Sequence, residues 1–164
     1  MKSYLQYSLV LFFALALSAC DSNSSNDNNN NNNNGGGSGK MTATIGGTAW
    51  SAASATATKI TAFGITSLTV AGADASAEAM TVSFVGVLGP GTFDLNSNNL
   101  ASMSYIAEAA PGAYISTSGS ATITTLNDEK VKGTFSFEGT RFSDGATISV
   151  TNGTFDVGYG VSPF

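Results

Sequence analysis

Residues 131–138 read Val-Lys-Gly-Thr-Phe-Ser-Phe-Glu, and this stretch decides the fold class. Apolar or small residues at every second position (Val131, Gly133, Phe135 and Phe137) alternate with charged or hydroxylated ones. Successive side chains of a β-strand point to opposite faces of a sheet, so this period predicts a strand with one buried and one solvated face. Such strands are typical of antiparallel sheets. We therefore predict an antiparallel strand here, with Phe135 and Phe137 in the core.

Strand patterns continue on both sides of this segment. Residues 120–126 form the preceding strand, which pairs with it across a polar turn at residues 127–130. Further along, Asn152-Gly153 separates two alternating segments. This dipeptide predicts a type I′ hairpin turn, after which the apolar residues of 155–159 point inward on the return strand.

Segments with strand patterns also fill the chain before residue 120. Gly46-Gly47 predicts a tight turn between the first two of them. In the segment 78–88 the apolar parity slips by one residue after Phe84, which predicts a bulge or a strand passing between faces. The segments are 41–45, 48–52, 56–61, 65–71, 78–88, 92–95, 101–107 and 113–117. We predict an all-β domain, an antiparallel sandwich or small barrel of about nine to eleven short strands.

Three short motifs of this domain occur in an order that resembles a known family. They are Gly47-Thr48-Ala49-Trp50 after the first strand, Gly133-Thr134-Phe135-Ser136-Phe137, and Asn152-Gly153-Thr154-Phe155 near the carboxyl end. The arrangement is similar to small lipoprotein-anchored β-domains of unknown function from Bacteroidetes-type envelopes. The resemblance covers nearly all of residues 41–164 and implies the fold and the cellular address. It implies no activity and no catalytic residues.

The amino terminus has the features of an export signal. A short positive region is followed by the apolar run of residues 9–17, which is too short to span a bilayer. Leu17-Ser18-Ala19-Cys20 then resembles the lipobox of bacterial lipoproteins. That resemblance implies removal of residues 1–19, a lipid on Cys20, and attachment to a bilayer of the cell envelope, in the inner or the outer membrane.

Residues 20–40 form the next unit, a lipidated cysteine and a tether. The part after Cys20 is rich in asparagine, glycine and serine and contains no apolar residue, so we expect it to be a disordered linker. As a flexible coil of about 20 residues it would reach about 25 Å on average. Residues 41–164 remain as a single β-domain.

Composition restricts the chemistry of that domain. The chain has 11 acidic and 6 basic residues, and the few bases are scattered, which argues against a nucleic-acid partner. It has no histidine, and Cys20 is its only cysteine. Catalytic triads, imidazole zinc sites and disulfides are therefore excluded from the folded part. We predict no catalytic residue, no metal site and no cofactor.

The remaining routes to catalysis are a Ser-Lys dyad or two carboxylates that act as in glycosidases. Asp128 and Glu129 are adjacent, but a solvated turn accounts for them. Glu138 and Asp144 flank a polar loop that contains Arg141, and a surface ion pair is expected there. Asp94 and Asp156 should point outward from their strands. The oxygens of residues 96–99 could bind calcium only weakly, and a polar loop is the preferred interpretation.

Aromatic side chains could form a surface for stacking on sugars. Tyr105, Tyr114 and Tyr159 are the candidates for ligand binding, and Trp50 is expected to pack in the core behind the first turn. Three functions stay open. The preferred one is a non-catalytic envelope domain, structural or ligand-binding, whose partner is a glycan or an envelope protein. The others are a carbohydrate-binding or adhesive module, which requires exposed coplanar aromatic rings, and a carboxylate-dependent glycoside hydrolase.

Overall fold

The computed structural model describes residues 39–87, 89–96, 101–107 and 112–159. These residues form ten β-strands and no helix. In chain order the strands are β1 (Lys40–Ile45), β2 (Thr48–Ser51), β3 (Ser54–Ala62), β4 (Ile65–Ala73), β5 (Ala79–Val85), β6 (Gly91–Asp94), β7 (Ala101–Ile106), β8 (Ala113–Leu126), β9 (Lys130–Arg141) and β10 (Thr147–Gly158). The predicted all-β class and the predicted number of strands are confirmed.

All ten strands belong to one antiparallel sheet in the order β2-β1-β10-β9-β8-β7-β5-β4-β3, and β6 pairs with the second half of β8. The sheet curls into a half-barrel, which brings β3 back toward the end of β10. There Ala57 and Tyr159 form a single parallel bridge. Of the two predicted architectures, the barrel is therefore the nearer one, since a single curled sheet replaces two packed layers.

The core lies inside the curl and follows from the alternation along each strand. In β9 every second residue from Val131 to Gly139 is buried, and the residues between are exposed or half-buried. Phe135 and Phe137 are 4% and 2% exposed, as predicted, and Trp50 is 6% exposed. Strands β4, β5, β7 and β10 contribute Leu68, Val70, Met80, Val82, Phe84, Met103, Val150, Phe155 and Val157 to the same core. These residues form the single hydrophobic core of the described part.

The predicted type I′ hairpin at Asn152-Gly153 is wrong. Strand β10 runs without interruption through both residues, and the chain forms a bulge there instead. Val150 pairs with Phe137 and Gly153 with Phe135, so two residues of β10 lie opposite one residue of β9. Asn152 alone adopts a positive φ, 52°. Both a type I′ turn and this bulge need a residue in the left-handed conformation at Asn152. The bulge forms because β9, with 12 residues, is long enough to pair with the whole of β10.

Two other sequence features behave as follows. The parity slip after Phe84 marks the end of β5 and not a bulge or a crossing between faces, since Val85 is the last, exposed residue of the strand, Gly86 has a positive φ and Val87 is buried beyond it. The segments predicted as two strands, 113–117 and 120–126, instead form the single strand β8, whose pairing with β9 shifts between Ser116 and Ser118.

The strand registers give the sheet two distinct ends. The tether end is where β1 begins at Lys40, and it also carries the β8–β9 turn at residues 127–129 and the β3–β4 turn at residues 63–64. Lys59 of β3 contacts Asp128 of the β8–β9 turn at 3.2 Å, which places both turns at this end. The far end carries the turns at residues 46–47, 74–78 and 142–146.

Candidate functional site

Two of the three candidate tyrosines lie together at the far end. Tyr105 of β7 pairs with Tyr114 of β8 in the sheet register. Their ring centroids are 6.1 Å apart with an angle of 27° between the planes, so the rings are stacked. Tyr105 is 4% exposed, and Tyr114 is half-buried. The inner ring therefore belongs to the core and has no face available to a ligand.

Arg141 covers the outer ring of this stack. Its guanidinium carbon lies 4.9 Å from the centroid of the Tyr114 ring, within the range of a cation–π contact. The same guanidinium donates two hydrogen bonds to Asp144, from Nε to Oδ1 at 2.9 Å and from Nη2 to Oδ2 at 2.6 Å. Only 13% of the Arg141 side chain is exposed. The predicted loop ion pair exists, and it also closes the aromatic stack.

Charges around this stack shift the protonation equilibria. Hydrogen bonds from Arg141 and from the backbone N–H of Ala146 hold the pKa of Asp144 at about 2. Burial raises the pKa of Tyr105, and the hydrogen-bonded and negatively charged Glu78 raises it further. Both effects keep Asp144 ionised and Tyr105 neutral near pH 7. The ionised Asp144, Arg141 and the neutral Tyr105 therefore fit a structural role at the far end.

Tyr159 lies at the opposite, tether end. Its ring is half-buried, and the Lys59 ammonium lies 5.6 Å from its centroid. Burial raises its pKa, and the negative charge of Asp128 adds to the rise. The Tyr159 hydroxyl and the Trp50 Nε1 are buried without a hydrogen-bond partner among the described residues. The three candidate tyrosines thus do not share a surface, and whether any of them binds a ligand stays a prediction.

Three of the six candidate carboxylates, Asp128, Asp144 and Asp156, are engaged in surface ion pairs. Asp156 contacts Lys130 at 3.1 Å and Lys132 at 3.6 Å, and the hydrogen bond from Lys130 lowers its pKa. Asp128 contacts Lys59, as described above. Over the described ranges, no three acidic or sulfur side chains converge in a way that could hold a metal ion. Residues 97–99 of the possible calcium loop lie outside those ranges.

The outer face of the sheet carries a continuous row of threonines, which we call the threonine row. Thr92, Thr122, Thr134, Thr154 and Thr42 are direct neighbours across β6, β8, β9, β10 and β1. The hydroxyls at its two ends are hydrogen-bonded in pairs, Thr92 with Thr122 at 2.9 Å and Thr42 with Thr154 at 2.8 Å. Neighbouring strands lie about 4.8 Å apart, so the row presents regularly spaced hydroxyls over five strands.

A shallow open depression of about 570 Å³ lies along the middle of the threonine row. The bulge of β10 borders it, since Thr151 and Asn152, the two residues opposite Ser136, are part of its lining. Its lining consists of Ser120, Thr122, Thr134, Phe135, Ser136, Thr151, Asn152, Gly153 and Thr154. None of these residues is charged. Apart from Phe135 and Gly153, the lining therefore consists of side chains with neutral hydrogen-bond donors and acceptors.

Comparison with known families now adds to this geometry. Residues 37–157 match a protein family described as a domain of unknown function, DUF6252. The chain belongs to this family. The match extends from just before β1 to the penultimate residue of β10, so the DUF6252 domain includes the whole curled sheet apart from its last residue. No curated protein and no solved structure matches the chain.

The family match confirms the predicted membership in a family of unknown function. Cys20 and the apolar run 9–17 lie outside the residues that the structure describes, so the lipid-anchor prediction remains a prediction. Within the described DUF6252 domain, no helix is long and apolar enough to cross a membrane.

Two features of the DUF6252 domain were missed by sequence reasoning. Threonine is common on the exposed faces of strands, and only the register reveals that five of them align. The depression depends on the bulge at Asn152, which was interpreted as a hairpin turn. The threonine row could have been recognised from threonines that recur at alternate positions in several of the predicted strands.

Proposed function

We propose that this protein is a lipoprotein of the cell envelope, anchored through Cys20, whose DUF6252 domain is a non-catalytic binding module. The anchoring part is supported by Leu17-Ser18-Ala19-Cys20 directly after an apolar run of residues 9–17. The polar sequence of residues 21–38 leads from this cysteine to β1, which begins at Lys40. A cysteine used for lipid attachment takes no part in the chemistry of the domain.

The binding part of the proposal rests on one observation, the uncharged depression on the threonine row. Hydroxyl and amide groups on a rigid sheet can bind a neutral hydroxylated ligand, and a glycan of the envelope has that chemistry. The alternative of a glycoside hydrolase has less support. Such an enzyme needs two carboxyl groups facing one groove, and the depression is lined by none.

Metabolic labelling with an alkyne fatty acid tests the anchoring. The wild-type chain should incorporate the label and fractionate with membranes, and Cys20→Ser should lose the label. Ser22→Ala is the matched control and should be labelled like the wild type. A wild-type protein that is soluble and carries a free thiol contradicts the anchoring proposal.

Isosteric substitutions test the binding surface. Thr→Val removes a hydroxyl and keeps the shape of the side chain, so a double variant Thr122→Val/Thr134→Val should weaken binding in a screen against envelope polysaccharides. Each lost hydrogen bond should lower affinity by about three- to tenfold. Thr81→Val, on the outer face of β5, is the control and should bind like the wild type. Equal binding by all three proteins would exclude the threonine row as the site.

A further inference from the structure

The β3–β4 hairpin carries an apolar tip that packs against nothing in the described structure. Along β3 the alternation of buried and exposed residues stops after Ala57, and every residue from Thr58 to Ile65 is exposed. Phe63 is fully exposed, and Ile60 and Ile65 are about half exposed. Beyond Lys59, which contacts Asp128 and the Tyr159 ring, the hairpin therefore projects past the core into solvent.

The register joins these side chains into one patch. Ile60 and Val85 both lie opposite Ser67, on the two sides of β4, so they occupy the same outer face of the sheet. Ile65 shares that face two residues along β4, and Phe63 lies at the turn beside it. We call Ile60, Phe63, Ile65 and Val85 the apolar tip.

The β3–β4 turn places a bulky residue in a backbone conformation that glycine or asparagine usually adopts. Phe63 and Gly64 have positive φ values of 52° and 77°, the pattern of a type I′ turn. Asparagine or glycine is the usual first residue of such a turn, and a bulky side chain there is an outlier that costs stability. A fully exposed phenylalanine contributes little to folding, so its side chain is available for a contact outside the domain.

The position of the apolar tip and the sequence of the hairpin bear on the partner of such a contact. The apolar tip lies at the tether end, where β1 begins and the chain arrives from Cys20. A tether of about 20 residues spans about 25 Å on average, which keeps this end close to a bilayer. The chain has 11 acidic residues, yet residues 54–73 contain none, and their single charge is Lys59. The Lys59 ammonium is paired with the Asp128 carboxylate at 3.2 Å, so the hairpin brings no unpaired charge to an apolar interface.

We propose that the apolar tip inserts into the interface of the bilayer that holds Cys20 and forms a second, weak attachment beside the lipid anchor. This inference rests on the proposed lipid anchoring, which brings the tip to a membrane. A lipid chain and a second weak contact together hold a protein more firmly than either alone. The tether end of the domain would then face the membrane, and the far end would point away from it.

Vesicle binding without the lipid tests the tip independently of the anchor. The mature chain, residues 20–164, carries Cys20→Ser and is sedimented with vesicles of phosphatidylethanolamine and phosphatidylglycerol. Phe63→Ser should lower the partition coefficient about tenfold. Phe142→Ser is the matched control, because Phe142 is 79% exposed in the far-end turn, and it should leave partitioning unchanged. Urea midpoints confirm that both variants fold.

A second measurement uses the absence of other cysteines in this chain. Ala62→Cys in the Cys20→Ser background carries a polarity-sensitive dye, which should shift to the blue on vesicles, whereas the dye on Thr48→Cys at the far end should not. Equal partitioning of wild type and Phe63→Ser, or equal dye responses at both ends, overturns the proposal. So does a dimer in sedimentation equilibrium that Phe63→Ser converts to monomer, since the tip would then bind a second copy. If the wild-type chain takes up no fatty-acid label while the Cys20→Ser chain still binds vesicles through Phe63, the lipid anchor is refuted and the membrane contact of the apolar tip is not.

Discussion

Strand β9 and the β3–β4 hairpin have similar sequence patterns and very different surroundings. In β9 the alternation of buried and exposed residues persists over its whole length, because β8 and β10 pair with both edges and the core lies beneath. In β3 the same alternation ends at Ala57, since the strand lies at the edge of the sheet and continues past the core. An aromatic residue therefore stabilises the fold in the first region and is available for binding in the second.

The largest expected effect concerns the aromatic residues of β9. Phe135→Ala or Phe137→Ala should lower the free energy of unfolding by about 3 to 5 kcal/mol, through lost burial and the cavity left behind. Phe142→Ala, an exposed phenylalanine in the turn after β9, should change it by less than about 0.5 kcal/mol. Urea unfolding measures all three. Equal effects would mean that the assignment of the buried face is wrong.

A glycine in β9 gives the next effect. A Cβ at Gly133 would collide with the carbonyl oxygen of Thr122 and the ring of Phe155. Gly133→Ala should therefore cost about 1 to 3 kcal/mol, since neither neighbour is free to move. Gly158→Ala is the control, because its Cβ would lie 3.7 Å from the nearest neighbour, the carbonyl oxygen of Glu129. If both variants are equally stable, the strands are packed less closely than described.

The β3–β4 hairpin should respond in the opposite direction. Phe63→Asn should raise the free energy of unfolding by about 1 kcal/mol, because asparagine adopts a positive φ more readily than phenylalanine. The same variant should bind vesicles less well. A gain in stability coupled to a loss of binding would separate the two roles of aromatic residues most clearly. A loss of stability instead would mean that Phe63 makes contacts within the domain.

The smallest effect is expected at Asp144 and depends on pH. Its pKa is lowered from 3.8 to about 2 in the folded state, so its stabilising contribution is present above about pH 4 and is lost as the pH falls toward 2. The difference in urea midpoint between wild type and Asp144→Asn should therefore shrink between pH 5 and pH 2, values chosen to bracket the two pKa values. Glu138→Gln, an exposed carboxylate on β9, is the control. A constant difference over this range would show that the ion pair with Arg141 does not stabilise the fold.

Sequence patterns predicted the parts of this structure that depend on neighbours along the chain. The strand at 131–138, the turn at Gly46-Gly47 and the buried Trp50 follow from local alternation and turn chemistry. The bulge at Asn152 could not be predicted, because the choice between a bulge and a hairpin depends on the length of the partner strand. The apolar tip was missed for the same reason, since alternation does not show where the core ends beneath a strand.

The candidate sites were less predictable than the fold. Three tyrosines with similar sequence contexts occupy the core, the stack beneath Arg141 and the tether end, and only the register separates them. The threonine row depends on five strands that are distant in sequence. Functional proposals for this domain therefore rest on pairing across strands more than on any motif.

Hydrogen exchange of the chain on vesicles, with Cys20 lipidated as proposed, tests whether the tether end faces the membrane and the far end does not. The reference is the Cys20→Ser chain in solution. Amides of residues 59–66 should exchange about tenfold more slowly on vesicles, whereas amides of the turn at residues 142–146 should exchange at the same rate in both samples. Slower exchange at 142–146 with no change at 59–66 would contradict this orientation.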